Sequence, residues 1–253
     1  MLRIPTILII KAGTTYRELK ATVGDFEHWI VKAFPNLPVR WKVKNIPDIE
    51  PEKLCSYQGL IITGSHNTLT QPYPYINGFQ RVIEKVNQQR IPLLGICFGH
   101  QLVHKVLGGE VAVNALGPEI GIANIQLTLD GRVDPLFRGI PGARLEVYAS
   151  HTDVVTKMGE GFVNLAWNEL TQYQATRRDN FLYTVQFHPE YNAHIIRYYL
   201  QKNRESVLRA HLKNPLHIAP PDDALKKIRN LTNQKLIFSN FFRFVIMHDA
   251  DNV

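Results

Sequence analysis

The sequence predicts an α/β fold: an open, mostly parallel sheet with helices on both faces, built as a single domain. Three observations lead there. Largely apolar runs at 6–10, 57–62, 91–96 and 181–187 read as buried strands, since they lack the polar alternation of a half-exposed strand. Segments with apolar residues at helical spacing separate them, and strands alternating with helices imply parallel pairing. The runs end in small or polar residues, and ligand sites in such sheets lie beyond the carboxyl ends of the strands.

Taken in order, Thr6-Ile7-Leu8-Ile9-Ile10 is the first strand, and Ala12-Gly13 ends it. Val23, Phe26, Ile30 and Phe34 then mark one helix, with Asp25 and Glu27 near its start. Residues 39–43 alternate, as a strand at or near an edge does. The run 57–62 delivers Thr63-Gly64-Ser65-His66, a loop with turn chemistry. A helix over 76–86 precedes the strand 91–96. From 110 to 155 the texture changes. Short strands at 111–113, 122–129 and 145–148, with Gly and Pro between them, are expected to extend the sheet with mixed pairing. Tyr148-Ala149-Ser150-His151-Thr152-Asp153 interrupts them as a polar cluster. The strand 181–187 delivers His188-Pro189-Glu190, and a helix follows through Leu200. Residues 201–235, Lys- and Asn-rich with Pro215, Pro220 and Pro221, read as a loop leading into a helix from Asp222. An amphipathic helix over 234–247 closes the chain. The expected architecture is flavodoxin-like, with one domain over 1–200 and a C-terminal helical segment, 201–253, packed on it.

Composition narrows the function. At 253 residues the chain can bury a substantial core. Hydrophobic content of 45% and charged content of 20% are those of an ordinary globular protein, and no apolar stretch is long enough to span a bilayer. The formal charge of +7 comes from Lys and Arg that are scattered until the last fifth of the chain. No basic run interleaves with aromatics, so a nucleic-acid partner is not expected. Cys55 and Cys97 are the only cysteines, and two lone thiols fit a reducing compartment better than a disulfide scaffold. The N-terminal stretch is too short and too poorly flanked for a signal peptide. A cytoplasmic protein is expected, and the Asn230-Leu231-Thr232 sequon then carries no meaning.

The chemistry centres on Leu93-Leu94-Gly95-Ile96-Cys97-Phe98-Gly99-His100-Gln101. Here a buried strand ends and a helical pattern begins, so Cys97 sits on a strand-to-helix turn with Gly two residues to either side. That is the layout of a nucleophile elbow, with sulfur in place of a hydroxyl. So sharp a turn needs neighbours without a Cβ, and a helix N-terminus favours the thiolate, the reactive form. A lone Cys more often packs as a small hydrophobe. The paired glycines and the strand-helix context favour the nucleophile. A thiolate needs a base, and the base needs a group to orient it. His188 ends a strand at the same rim, and a Glu190 carboxylate would hold its imidazole in one tautomer and stabilise the imidazolium. The backbone N–H of Phe98 and that of Gly64 or Ser65 are the candidates for an oxyanion hole. Nothing is shaped as a cofactor cradle or nucleotide loop, so no cofactor is expected.

These residues carry a resemblance. The stretch from Gly95 to Gln101, with Gln186-Phe187-His188-Pro189-Glu190 further on, resembles the class I glutamine amidotransferase signature in order and spacing. Glu119-Ile120-Gly121 and Ser150-His151-Thr152-Asp153 are similar to segments of its free-standing, GMP-synthase-like branch. The resemblance implies a Cys97–His188–Glu190 triad. It also implies that Gln101 with Ser150, His151, Thr152 and Asp153 holds the α-amino and α-carboxylate groups of a glutamine-like small-molecule substrate. The implied chemistry is attack on a γ-carboxamide, a γ-glutamyl thioester, release of ammonia or an amine, and hydrolysis. Where the family's oxyanion loop is often Gly-Gly-Pro, this chain has Gly64-Ser65-His66, similar to the branch containing γ-glutamyl peptide hydrolases. Two readings therefore stand beside a glutaminase. One is a γ-glutamyl peptide or conjugate hydrolase. The other is a latent glutaminase subunit that works only with a synthetase partner, because no synthetase domain follows the triad.

Other residues have plainer readings. His100 and His104 lie four apart, as zinc pairs do, but Gln101-Leu102-Val103 between them lacks a metalloprotease glutamate and no third ligand suggests itself. No metal is expected. Ser65 lacks the following glycine of a serine-hydrolase elbow and reads as a loop N–H donor. His151 reads as structural or loop-orienting, Cys55 as ordinary packing, and Phe241, Phe242 and Phe244 as core.

Overall fold

Ile7 and Ile9 of the first strand point to one face while Leu8 and Ile10 point to the other, and all four are fully buried. A strand buried on both sides belongs inside a sheet covered on both faces. The computed structural model, which describes residues 4–34 and 38–247, contains that sheet. Positions 1–3 and 35–37, and positions 248–253 of the expected C-terminal segment, lie outside the described residues.

The first half comprises β1 (Thr6–Lys11), α1 (Arg17–Val23), α2 (Phe26–Ala33), β2 (Arg40–Asn45), β3 (Gly59–Ile62), α3 (Ile76–Gln89), β4 (Leu93–Ile96) and α4 (Phe98–Val106). Then come β5 (Glu110–Val113), β6 (Glu119–Leu127), α5 (Leu129–Val133), β7 (Arg144–His151), β8 (Asp153–Lys157), β9 (Phe162–Trp167), β10 (Ala175–Arg178) and β11 (Leu182–Val185). Helices α6 (Ala193–Lys202), α7 (Arg204–Lys213), α8 (Pro221–Lys227) and α9 (Leu236–Asn240) follow, and α9 runs into a π-helical turn (Phe241–Ile246).

Among the described residues, nine strands form one sheet in the order β2-β1-β3-β4-β11-β10-β9-β6-β7. Pairing is parallel from β2 to β11 and antiparallel beyond it. β5 and β8 form a separate antiparallel pair. One face is covered by α3 and α4 through Phe79, Val82, Ile83 and Leu102. The other is covered by α2, α9 and the π turn through Ile30, Phe238, Phe241 and Val245. Over the antiparallel end, α6 and α7 pack Ile195, Ile196, Tyr199 and Val207 in one cluster with Tyr148. This is the α/β, flavodoxin-like sheet with a mixed extension, in one domain. No helix of the described residues is long and apolar enough to cross a membrane.

Local details differ from the sequence expectation for physical reasons. Val23 belongs to α1, which Gly24 ends at φ 86°; Asp25 then caps a fresh helix, so a helical spacing spans two elements. Arg204–Lys213 is helical although 201–235 reads as a loop, because only Val207 and Ala210 of that helix are buried and charge hides so thin a stripe. Ser150 and His151 lie inside β7, paired with Ile120 and Glu119 of β6. Leu129 begins α5, whose Gly131 N–H bonds the Thr128 hydroxyl oxygen. Cys55 is exposed rather than packed.

Candidate active site

Cys97 occupies the turn between β4 and α4 with φ 51° and ψ −99°, a conformation that non-glycine residues avoid. Two glycines make the turn possible. A Cβ on Gly95 would lie 2.8 Å from the Gly99 carbonyl oxygen, and one on Gly99 would lie 2.7 Å from the Ile62 carbonyl oxygen of β3. The Cys97 N–H bonds Val185 of β11 at 2.8 Å, and Phe98 opens α4, where the first N–H groups have no partner within the helix.

His188 follows β11, and its N–H bonds the Tyr148 carbonyl of β7 at 2.8 Å. Its Nδ1 and Glu190 Oε1 are 2.7 Å apart, with both side chains almost wholly buried. Cys97 also acts on the imidazole, through its charge and a side-chain hydrogen bond. Burial alone would strip a proton from His188, but the charge of Glu190 and the proximity of Cys97 outweigh it and push its pKa up to about 10. The ring stacks on Tyr191 at 4.0 Å and 14°, with Phe26 near-parallel at 6.2 Å. Gly64 makes room for it, since a Cβ there would lie 2.9 Å from His188 Cε1.

The loop after β3 is anchored from below. The Thr63 hydroxyl donates to the Gly64 carbonyl at 2.9 Å and accepts the Ala12 N–H at 3.0 Å. A trans peptide directs its N–H opposite to its carbonyl, so the Ser65 N–H points away from Thr63. Ser65 and Cys97 line one cleft of about 450 Å³. Phe98, Gln101 and Ser150 to Asp153 line part of it, and Tyr16, His66, Tyr199 and Asn203 another. On that second wall His66 Nε2 is 2.8 Å from Tyr199 Oη, and the Tyr16 and His66 rings are 4.3 Å apart. Burial, then the nearby His188, lowers the pKa of His66.

A family model described as glutamine amidotransferase class-I matches residues 22–204. The chain belongs to the class-I glutamine amidotransferase family. It is 32% identical to gamma-glutamyl peptidase 4 of Arabidopsis thaliana over 183 residues, covering 70% of this chain and 72% of that protein. It is 34% identical to one subunit of the glutamine-hydrolysing GMP synthase of Sulfolobus acidocaldarius over 171 residues, covering 66% of this chain and 85% of that subunit. A glutamine amidotransferase structure from Thermotoga maritima shares the fold, with a TM-score of 0.69 over 96% of this chain and 99% of that one, at 21% identity.

In this family member the remaining candidates meet different partners. Gln101 lines the cleft, and its Nε2 donates to the Asp153 carbonyl at 2.8 Å. The Thr68 hydroxyl bonds the Asp153 carboxylate. His151 is turned to Glu119, 3.1 Å from its carboxylate, which also accepts from Asn168, Thr171 and Gln174. Burial opposes the Glu119 charge, yet those donors, His151 first, hold its pKa below the usual value. His100 and His104 share hydrogen bonds with Thr184 and Thr176, at 2.7 and 2.9 Å. Burial drives both pKa values down, His104 to about 3. Among the described residues no His, Cys, Asp and Glu group is arranged for a metal ion. Sequence reasoning quoted Thr63 and Gln186 within their motifs but gave neither a role. Gln186 side-chain nitrogen lies 3.6 Å from Cys97 Sγ, and the signal for it was one amide in the apolar run 181–187.

Proposed function

We propose that this amidotransferase cleaves the γ-carboxamide of glutamine or of a γ-glutamyl amide through a γ-glutamyl thioester on Cys97. The observation that carries the reading is the strained Cys97 turn, whose side chain acts on His188, with Glu190 held at Nδ1 of that ring. The thiolate attacks the γ-carbonyl carbon, and the oxyanion takes the N–H groups of Phe98 and Ser65. His188 gives its proton to the departing nitrogen as the C–N bond breaks, then takes one from the water that attacks the thioester. Gln101 and the strand ends from Ser150 to Asp153 hold the glutamyl head group.

The leaving nitrogen must face His188, which protonates it. The cleft that holds Cys97 extends to Tyr16, His66, Tyr199 and Asn203, a surface that ammonia as the leaving group does not need, and this favours a γ-glutamyl conjugate as a second reading. The GMP synthase relatives support a third, in which a separate synthetase takes up the ammonia. A reduced Cys97 suits the cytoplasm.

A glutamine-analogue electrophile tests the reading, with the labelled residue located by peptide mass spectrometry. Label on Cys97 that glutamine suppresses is expected. Label elsewhere, or full turnover by Cys97→Ser, would overturn it. Ammonia from glutamine against an amino acid from a γ-glutamyl dipeptide separates the first two readings, and turnover gained only with a synthetase selects the third.

A further inference from the structure

Gln186 precedes the strand-end pair by two residues, has no exposed surface, and stands outside the triad. Its side-chain nitrogen is 3.6 Å from Cys97 Sγ. Which end of the amide faces the sulfur follows from the contacts behind it. The Asp153 carbonyl can only accept, so the Gln101 atom 2.8 Å from it is the amide nitrogen. That nitrogen lies 3.1 Å from the Gln186 side chain, which must therefore present its oxygen there. Oxygen toward Gln101 leaves the NH₂ toward Cys97.

The sulfur thus has opposed neighbours. The Ser150 carbonyl oxygen, 3.9 Å away, accepts from a thiol and repels a thiolate. An amide N–H does the reverse. We infer that Gln186 is a catalytic residue that stabilises the Cys97 thiolate by donating a side-chain N–H to the sulfur, its orientation fixed through Gln101 by the Asp153 carbonyl. The inference rests on Cys97 being the nucleophile. The anion occurs twice in the cycle. At acylation the sulfur lends its electron pair to the γ-carbonyl carbon, a C–S bond forms, and the π pair moves to oxygen. At hydrolysis water adds to the thioester carbon and its proton passes to His188. The adduct then collapses, the C–S bond breaks, and the pair returns to sulfur. Gln186 bonds the charged sulfur strongly and the neutral thioester weakly, so it acts on the steps that consume or regenerate the thiolate.

The test uses the whole 253-residue chain carrying Cys55→Ser, which removes the exposed second thiol, so that iodoacetamide reports on Cys97 alone. Gln186→Met keeps the length and removes the donors. Its alkylation at neutral pH is expected to slow about tenfold, the loss of one hydrogen bond to a charged group, and kcat to fall with it while KM holds. The deficit closes as pH rises and base generates the anion unaided. Gln186→Glu keeps the shape but faces the sulfur with oxygen, so its deficit shrinks as pH falls and the acid regains a proton to donate. Opposite pH trends are not produced by structural damage, which thermal unfolding of the same variants reads separately. Unchanged alkylation and turnover in both would overturn the inference. Should both fail to fold, Gln101→Leu, which leaves the donor unanchored, takes their place, read by iodoacetamide alkylation alone because Gln101 also holds the glutamyl head group: a smaller fall in alkylation supports the inference and none overturns it. Alkylation that depends on Gln186 in a protein without γ-glutamyl turnover keeps this inference and sinks the proposed function. Turnover through Cys97 that is indifferent to Gln186 does the opposite.

Discussion

Replacing Glu190 by Gln keeps an acceptor for His188 but removes the charge that holds its proton. With that charge gone, burial dominates and the proton is lost at lower pH. His188 has its raised pKa, about 10, in the folded protein, so activity that needs the imidazolium persists below that value and fails as pH rises through it. The alkaline limb of kcat/KM in Glu190→Gln should therefore move to lower pH, with kcat down by roughly a hundredfold or more. A limb that stays put would show that another group sets it. Thr63→Val tests the other half of the site. Without the hydroxyl, nothing on Thr63 holds the Gly64 carbonyl, the Ser65 N–H loses its fixed direction, and kcat should fall about ten- to a hundredfold with little change in KM. Steady-state kinetics on glutamine or a γ-glutamyl amide decide it. At this scale the sequence singles out residues where chemistry restricts the residue type, as at Cys97, His188 and Glu190. It was silent where the role depends on an orientation, as for Thr63 and Gln186.

Elements position these residues through close backbone approaches. Gly99→Ala would push a methyl into the Ile62 carbonyl, a contact with backbone that cannot swing aside, so β3, β4 and α4 must separate. A loss of about 1–3 kcal/mol is expected in denaturant unfolding, with activity falling further because the elbow moves. Asp25 ties the loop after β1 to the start of α2, accepting from Thr14, Thr15, Phe26 and Lys11. Burial would raise its pKa, but these donors win and lower it to about 2. A carboxylate with a depressed folded value contributes stability above its ordinary pKa and loses it as pH falls through about 2. Asp25→Asn should cost about 2 kcal/mol at neutral pH, a difference that shrinks in acid unfolding curves between about pH 4 and 2. The parallel strands were legible because burial on both faces leaves uninterrupted apolar runs. β10, Ala-Thr-Arg-Arg, was not, because Thr176 meets its partners by hydrogen bonds with Thr184 and His104 instead.

Across the whole molecule, we propose that residues after 200 belong to the same cooperative unit. Ile237, Phe238 and Phe241 are fully buried in one cluster with Ile7 and Ile9 of the central strand. Tyr148 adds a second tie: its hydroxyl donates to the Arg229 carbonyl at 2.7 Å and accepts the Leu231 N–H at 3.0 Å, while its own carbonyl holds the His188 backbone. Phe238→Ala should cost about 3–5 kcal/mol and leave a single unfolding transition. An early, separate transition would mark an independent segment. The amphipathic face over 234–247 was readable, whereas α7 was not, since its buried stripe is two residues wide. The elbow also bears on how robust the molecule is. A residue other than glycine held at φ 51° works against folding by about 1–2 kcal/mol. Cys97→Gly, without a thiol and proof against oxidation at that position, should therefore melt at a higher temperature than the native chain. Durability measured on such a stand-in would flatter the native chain, and lineages that lose the reaction would be free to drift toward tougher, idle descendants.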